Sequence, residues 1–404
     1  MIKRENYINQ LKQFIDRPFV KVLTGVRRSG KSTILKLLYE ELKLRGVSDE
    51  QILHINLESF NFSGLNSAEV LYRFVSEKID TNIKQYLLID EIQEVNGWEK
   101  AINSLLTDYS IDIYITGSNS RLLSSELATY LAGRYVEIPV FTLSFSEYLD
   151  FQKFYFPNHN ENVYNDFMRY LRFGGFPVLH TAEYTDESAY KIVYDIYSSV
   201  ILRDTVQRYN IRDVELLERV IKFAFDNIGN TFSGKSIADY FNSQQRKIDL
   251  NTVYNYLYAL EGAFVLYRTH RYDIRGKEIL KTQEKFYLSD VALLYATMGF
   301  KDRMIAGVLE NIVFLELKRR GYHVYVGKLY SKEIDFIGER RGEKIYVQVT
   351  YKLENENVIE REFSNLLSIG DNFPKFVVSM DEFWKDTYQG IQHLHIADFL
   401  LKEF

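Results

Sequence analysis

The sequence predicts an α/β fold whose leading domain is built around a phosphate-binding loop; a helical connector and further helix-and-strand segments follow. Three observations carry that expectation. A complete glycine loop, Gly25-Val26-Arg27-Arg28-Ser29-Gly30-Lys31-Ser32, lies between an apolar run and an amphipathic segment. A later apolar strand, Tyr86-Leu87-Leu88-Ile89-Asp90-Glu91, ends in two carboxylates. Beyond residue 230, helical spacing gives way to helices mixed with strands and short polar turns.

The loop fits G-x-x-x-x-G-K-[ST] without a mismatch. Phe19 to Leu23 ahead of it reads as a buried strand. Behind it, Thr33 to Leu44 places Ile34, Leu37, Leu38 and Leu42 at helical spacing. Strand, glycine loop and helix together aim backbone N–H groups and a helix N-terminus at bound phosphate. Residues Gly25 to Thr33 are therefore the expected nucleotide cradle. Lys31 is placed to reach the β- and γ-phosphates, and the Ser32 hydroxyl to ligand Mg²⁺. Arg27 and Arg28 either join the cradle or only solvate it. ATP and Mg²⁺ are the cofactors this pattern implies.

Gln51 to Leu57 forms the next expected strand, ending near Glu58. In the acidic strand, Asp90 can hold the Mg²⁺ shell and Glu91 can polarise an attacking water. A fourth strand, Ile111 to Thr116, runs into Gly117-Ser118-Asn119-Ser120-Arg121. Where such a strand is inserted between loop and acid it carries a polar sensor for the γ-phosphate, here Ser118 or Asn119. The other reading is a hydrogen-bonded turn that stops the strand.

These motifs, with Leu131-Ala132-Gly133-Arg134, Pro139-x-x-x-x-Ser144-Phe145-x-Glu147-Tyr148 and Gly174-Gly175-Phe176-Pro177, resemble the bacterial and archaeal AAA+-type ATPases fused to a domain of unknown function. The resemblance runs to about residue 355 and is most specific in the first 150 residues. It implies an additional-strand P-loop sheet in which the acidic strand does not adjoin the loop strand. It also implies that Arg134 contacts the γ-phosphate, in cis or from a neighbouring subunit, where a guanidinium can neutralise charge on the transferred phosphoryl group. A surface salt bridge is the alternative for Arg134. ATP rather than GTP follows from the resemblance.

The expected organisation is a P-loop ATPase domain over 1–150, a helical connector over 151–230, a winged-helix-like domain over 231–300 and a nuclease-like α/β domain over 301–404. In the connector, Tyr164, Phe167, Met168 and Leu171, then Ile192, Ile196 and Val200, recur at helical spacing. Arg203 and Asp204 read as an ion pair or a subunit contact. The winged helix is read from a short helix near Ser236 to Phe241, a longer one bearing Val253, Leu257 and Leu260, and two strands joined around Gly276. Arg268, Arg271, Arg275, Lys277, Lys281 and Lys285 stand against Asp273, Glu278 and Glu284, a local excess of three positive charges. Such a wing suits phosphate contacts with DNA, with protein docking as the alternative.

From residue 307 a helix with Glu310 and Glu316 ends at Arg319-Arg320-Gly321, and strands follow. Glu333-Ile334-Asp335-Phe336 and Tyr346-Val347-Gln348-Val349-Thr350 resemble the core of PD-(D/E)xK nucleases. Here Gln348 replaces the second carboxylate and Thr350 the lysine. A neutral amide is a weak ligand for a hard cation, so Asp335 and Glu310 alone make a poor metal cage. Lys352 is the nearest substitute lysine, and the domain is read as inactive. His393 and His395 are read as pointing out of one strand face.

Composition bounds the rest. The 404 residues are 46% hydrophobic and 26% charged, with a net charge of −5, 31 Tyr, 28 Phe and no cysteine. Disulfides and thiolate metal sites are excluded. An acidic chain argues against strong sequence-independent nucleic-acid binding by the whole molecule. No bilayer-length apolar run or signal-peptide core is visible, so a cytoplasmic location is expected. The function expected is a Mg²⁺-dependent ATPase whose nucleotide state controls a DNA- or protein-binding C-terminal half, as a monomer or homo-oligomer. The alternatives are a nucleotide-gated binding module with negligible hydrolysis, or an ATP-regulated nuclease.

Overall fold

A computed structural model of the chain describes residues 2–120, 130–131, 133–159, 162–244 and 248–403. Arg121 and Ala132 of the motifs above, and the side chain of Lys281, lie outside the described residues. The chain divides into two compact units, Met1–Phe141 with Gly262–Phe264, and Thr142–Glu261 with Val265–Phe404.

In order, the first unit contains α1 (Glu5–Lys12), β1 (Val20–Thr24), α2 (Lys31–Leu44), β2 (Ile52–Asn56), α3 (Ala68–Ser76), β3 (Gln85–Asp90), α4 (Trp98–Asp108), β4 (Ile111–Gly117) and β5 (Tyr135–Pro139). The sheet order is β2-β3-β4-β1-β5, with every pair parallel. β4 therefore stands between the loop strand β1 and the acidic strand β3, the additional-strand arrangement. β3 is buried along its whole length because helices cover both faces. Its alternate residues serve opposite cores. Leu87 and Ile89 pack with Leu71 and Val75 of α3 and Ile102 and Leu105 of α4. Tyr86 and Leu88 share the other core with Leu11 of α1 and Ile34 and Leu38 of α2. With all strands parallel, the ends of β1, β3 and β4 that carry functional loops meet along one edge, where α/β sheets bind ligands.

The second unit begins with helices α5 (Phe145–Tyr155), α6 (Val163–Phe173) and α7 (Asp186–Ser199). A π-helical segment over Val200–Gln207 holds Arg203 and the buried Asp204. There follow α8 (Val214–Asp226), β6 (Thr231–Phe232), α9 (Gly234–Ser243), α10 (Leu250–Gly262), β7 (Leu266–Asp273), β8 (Glu278–Leu288), α11 (Ala292–Met298), α12 (Ile305–Arg319), β9 (His323–Leu329), β10 (Lys332–Arg340), β11 (Glu343–Val349), α13 (Glu356–Leu367), β12 (Lys375–Ser379), β13 (Thr387–Tyr388), β14 (Ile391–His395) and α14 (Ile396–Leu401).

Its nine-stranded sheet has the order β13-β14-β12-β11-β10-β9-β7-β8-β6. β9, β10 and β11 form an antiparallel meander, and β12 then returns parallel to β11 after α13. Strand β7 pairs with β8 on one side and, in parallel, with β9 on the other. Strands β6 to β8 and the strands beyond residue 300 thus share one sheet. The Gly174-Gly175 turn has a packing cause: Gly174 has φ +65°, and a Cβ there would stand 1.8 Å from Asp290 Oδ1. Asp290 in turn accepts a hydrogen bond from the Gly175 N–H at 2.8 Å. His393 and His395 do share one face of β14, but both are buried rather than turned outward, and His393 is bonded to Ser379 Oγ at 2.9 Å.

Candidate nucleotide-binding site

The loop after β1 has the conformation that a phosphate cradle requires. Gly25 has φ +147°, and a Cβ there would meet the Val140 carbonyl oxygen at 2.1 Å. Gly30 has φ +100° and caps α2, so the N–H groups of Lys31, Ser32 and Thr33 open the helix towards the loop. Lys31 is buried. Its Nζ donates to the carbonyls of Gly25 at 2.9 Å and Val26 at 3.1 Å, and stands 3.9 Å from Glu91 Oε1. Ser29 is buried inside the loop, whereas Arg28, at φ +67°, is exposed, as is Ser32. Arg27 does more than solvate the loop: it is nearly buried and donates to Glu58 Oε1 at 2.8 Å, at the end of β2.

The acidic strand meets the loop as its position in the sheet dictates. Thr116 on β4 donates to Asp90 Oδ1 at 2.5 Å and accepts from the Glu91 N–H at 3.0 Å. One hydroxyl therefore orients both acids. Glu91 takes a left-handed conformation with φ +57°. Gln93 Nε2 donates to Glu91 Oε2 and, at 3.3 Å, to Ser118 Oγ. Burial pushes the Glu91 carboxyl upward, yet the Lys31 charge, the Gln93 amide, Arg27 and Ser118 outweigh it and hold it below the usual carboxylate range. Ser118 and Asn119 are both buried just past β4, between the loop strand and the acidic strand.

Thr116→Val keeps the shape and removes the shared hydroxyl, leaving the buried Glu91 N–H without its acceptor. Denaturant titration should show a loss of about 1–3 kcal/mol. Turnover should fall more than ATP affinity, because both acids lose their common anchor.

Arg134 is a correction. β5 pairs with β1 in the register Val20↔Tyr135, and the Val20 N–H donates to the Arg134 carbonyl at 2.8 Å. Arg134 thus sits at the start of β5, while the loop leaves the far end of β1, roughly 17 Å away at about 3.3 Å per residue. A contact from within its own sheet is excluded, which leaves a contact to a neighbouring subunit or a surface salt bridge for this exposed side chain.

Residues absent from the sequence reading complete the site. Arg4, buried ahead of α1, donates to the Ser29 carbonyl in the loop at 2.7 Å and to the Phe141 carbonyl at 3.0 Å. Its guanidinium lies 4.5 Å from the Tyr7 ring centre, and Tyr7 Oη accepts from the Phe141 N–H at 3.0 Å. A single arginine near a charged N-terminus carries no local signal of this role. Thr116 and Gln93 could have been found by asking which polar neighbours an acid pair needs.

The basic cluster of β7 and β8 needs a second correction. Arg268 grips Glu261 with two nitrogens and also approaches Glu284 at 3.5 Å. Lys285 is buried among carboxylates rather than displayed on the surface of β8. Arg271 donates to Gln283 at 2.5 Å, Arg275 lies over the Tyr330 ring at 5.2 Å, and Lys277 is exposed. The basic face is therefore smaller than the sequence count. Lys352 is exposed beside Tyr351, so it does not fill the place of the missing lysine. Gln348 Oε1 accepts from the Asp335 N–H at 3.3 Å, and the Val349 N–H donates to Asp335 Oδ2 at 2.8 Å.

A P-loop at the end of a central parallel strand, with an acid pair two strands away, defines the class: an AAA-type, nucleotide-binding ATPase domain. Residues 17–149 match the AAA domain family, and residues 164–304 match a domain of unknown function, DUF8612. An uncharacterized protein of Haemophilus influenzae is 41% identical over 410 residues, covering 100% of this chain and 99% of its own length. The uncharacterized protein MJ1544 of Methanocaldococcus jannaschii is 31% identical over 360 residues, covering 85% of this chain and 77% of its own. The chain belongs to the family of these bacterial and archaeal proteins. Among solved structures, the Walker-type ATPase PABY2304 of Pyrococcus abyssi superposes with a TM-score of 0.52 at 16% identity, over 74% of this chain and 96% of that one, a likeness of fold. Among the described residues, no helix is long and apolar enough to cross a membrane.

Proposed function

We propose that this protein is a Mg²⁺-dependent ATPase whose nucleotide state controls a partner-binding C-terminal half. The observation that carries the reading is the convergence of Lys31, Asp90, Glu91 and Ser118 on one sheet edge, with Lys31 Nζ 3.9 Å from Glu91 Oε1. The residues fit the metal. Ser32 presents an exposed hydroxyl on the first turn of α2, and Asp90 offers a hard oxygen while Thr116 holds the other. When bound, Mg²⁺ would neutralise negative charge on the β- and γ-phosphates. Lys31 would add its ammonium to the same oxygens. Glu91 would orient and polarise the attacking water, and Ser118 or Asn119 would face the γ-phosphate. Arg134 is kept as a contact supplied to a neighbouring protomer, which makes a homo-oligomer part of the proposal.

For the C-terminal half we propose a winged helix joined to a nuclease-like core without cleavage activity. The αβββαβ order of α12 to β12 supports the second part, with Gln348 committed to a backbone N–H where a ligand carboxylate would be needed. Among the described side chains, Arg271, Arg275 and Lys277 are the wing residues left to contact DNA phosphates, with protein docking as the alternative partner mode.

The test is equilibrium binding of a fluorescent ATP analogue with Mg²⁺. Lys31→Ala should weaken it about 10- to 100-fold, the cost of losing a charged hydrogen-bond donor. Unchanged affinity would overturn the reading.

A further inference from the structure

A second polar cluster lies in the sheet of the C-terminal unit. Lys285 on β8 is only 2% exposed, and its Nζ stands 3.0 Å from Glu310 Oε2, 2.9 Å from Glu333 Oε1 and 3.5 Å from Asp335 Oδ1. Glu310 comes from α12, and Glu333 and Asp335 from β10. The Tyr287 hydroxyl donates to the same Glu310 oxygen at 3.1 Å. The three N–H groups of one ammonium thus face three carboxylates.

We propose that Lys285 is an internal cation standing where a divalent metal would otherwise sit, so that the chain itself closes this carboxylate cage. A cation coordinated by Glu310, Glu333 and Asp335 would lie about 2.0–2.6 Å from their oxygens. The ammonium already occupies that space, and two positive centres a few ångströms apart in a buried site repel strongly. The two departures from the nuclease pattern agree with this. Gln348 need not be anionic, and Thr350 need not be basic, where a lysine from another strand supplies the charge. The cage is reachable, since the Glu333 side chain is 37% exposed.

The proposal is independent of ATP binding. Its test is Mn²⁺ binding to the full chain without nucleotide, followed by electron paramagnetic resonance. Wild type and Glu310→Gln should give the same isotherm, because no Mn²⁺ enters the cage while Lys285 is present. Lys285→Ala should gain one Mn²⁺ per chain, bound at least about tenfold more tightly than anything Glu310 supports in wild type. Lys285→Ala/Glu310→Gln should lose it again. Weaker Mn²⁺ binding by Glu310→Gln than by wild type would overturn the proposal, as would a folded Lys285→Ala protein that gains no site. Should Lys285→Ala not fold, the comparison of wild type with Glu310→Gln decides alone.

Discussion

Glu91→Gln should bind ATP with close to wild-type affinity and hydrolyse it about 10²- to 10⁴-fold more slowly, the range of a positioned general base. Glutamine keeps the length of the side chain and an acceptor for Gln93. It loses the negative charge that Lys31, Arg27, Gln93 and Ser118 now stabilise, and with it the ability to draw a proton from water. The proposed roles, with the acid acting on the water and the loop amides holding the phosphates, put the loss on kcat rather than KM. Phosphate release and analogue binding measured on the same preparations separate the two effects. A variant as fast as wild type would place the base elsewhere.

Gly25→Ala should damage the first unit more than any surface change. A methyl group there points at the Val140 carbonyl oxygen 2.1 Å away, with φ at +147°. Val140 cannot retreat easily, since its N–H is bonded to the Thr24 carbonyl at 2.6 Å. The obstacle is main chain, so no rotamer relieves it. A cost of about 3 kcal/mol or more is expected from this combined clash and strain, read as a fall in Tm of about 6–12 °C. Gly64→Ala, which meets nothing within 4 Å and has no positive φ, is the neutral comparison.

The first unit was largely legible because its signals are local. The octet, the helix behind it and the acid pair each lie within a few consecutive residues. Helices on both faces turned β1, β3 and β4 into short, mostly apolar runs that stand out in the sequence, although β1 and β4 also bury the paired Lys21 and Asp112. What failed was whatever depended on register or on distant partners. Arg134 carries a fitting charge, but the Val20↔Tyr135 pairing, which no motif reveals, puts it at the end of β5 away from the loop of its own chain. Arg4 reaches Ser29 and Phe141 across 25 and 137 residues, so its role becomes visible only when the chain is folded. Counting charge along residues 268–285 misled for the same reason. Arg268 and Lys285 were scored by sign alone, and their acidic partners come from other elements. In contrast, the loss of Glu and Lys at Gln348 and Thr350 was plain in the sequence. The lysine that approaches the cluster lies more than sixty positions upstream, on the strand that precedes α11.

One arrangement in the C-terminal unit carries a mechanical consequence. Because β7 shares main-chain hydrogen bonds with β8 and β9 alike, the hairpin that holds Arg275 and the strands around the Lys285 cage belong to the same stiff plate. Whatever grips the hairpin from outside pulls on that plate without an intervening hinge, and load applied at its rim is shared with the charged interior.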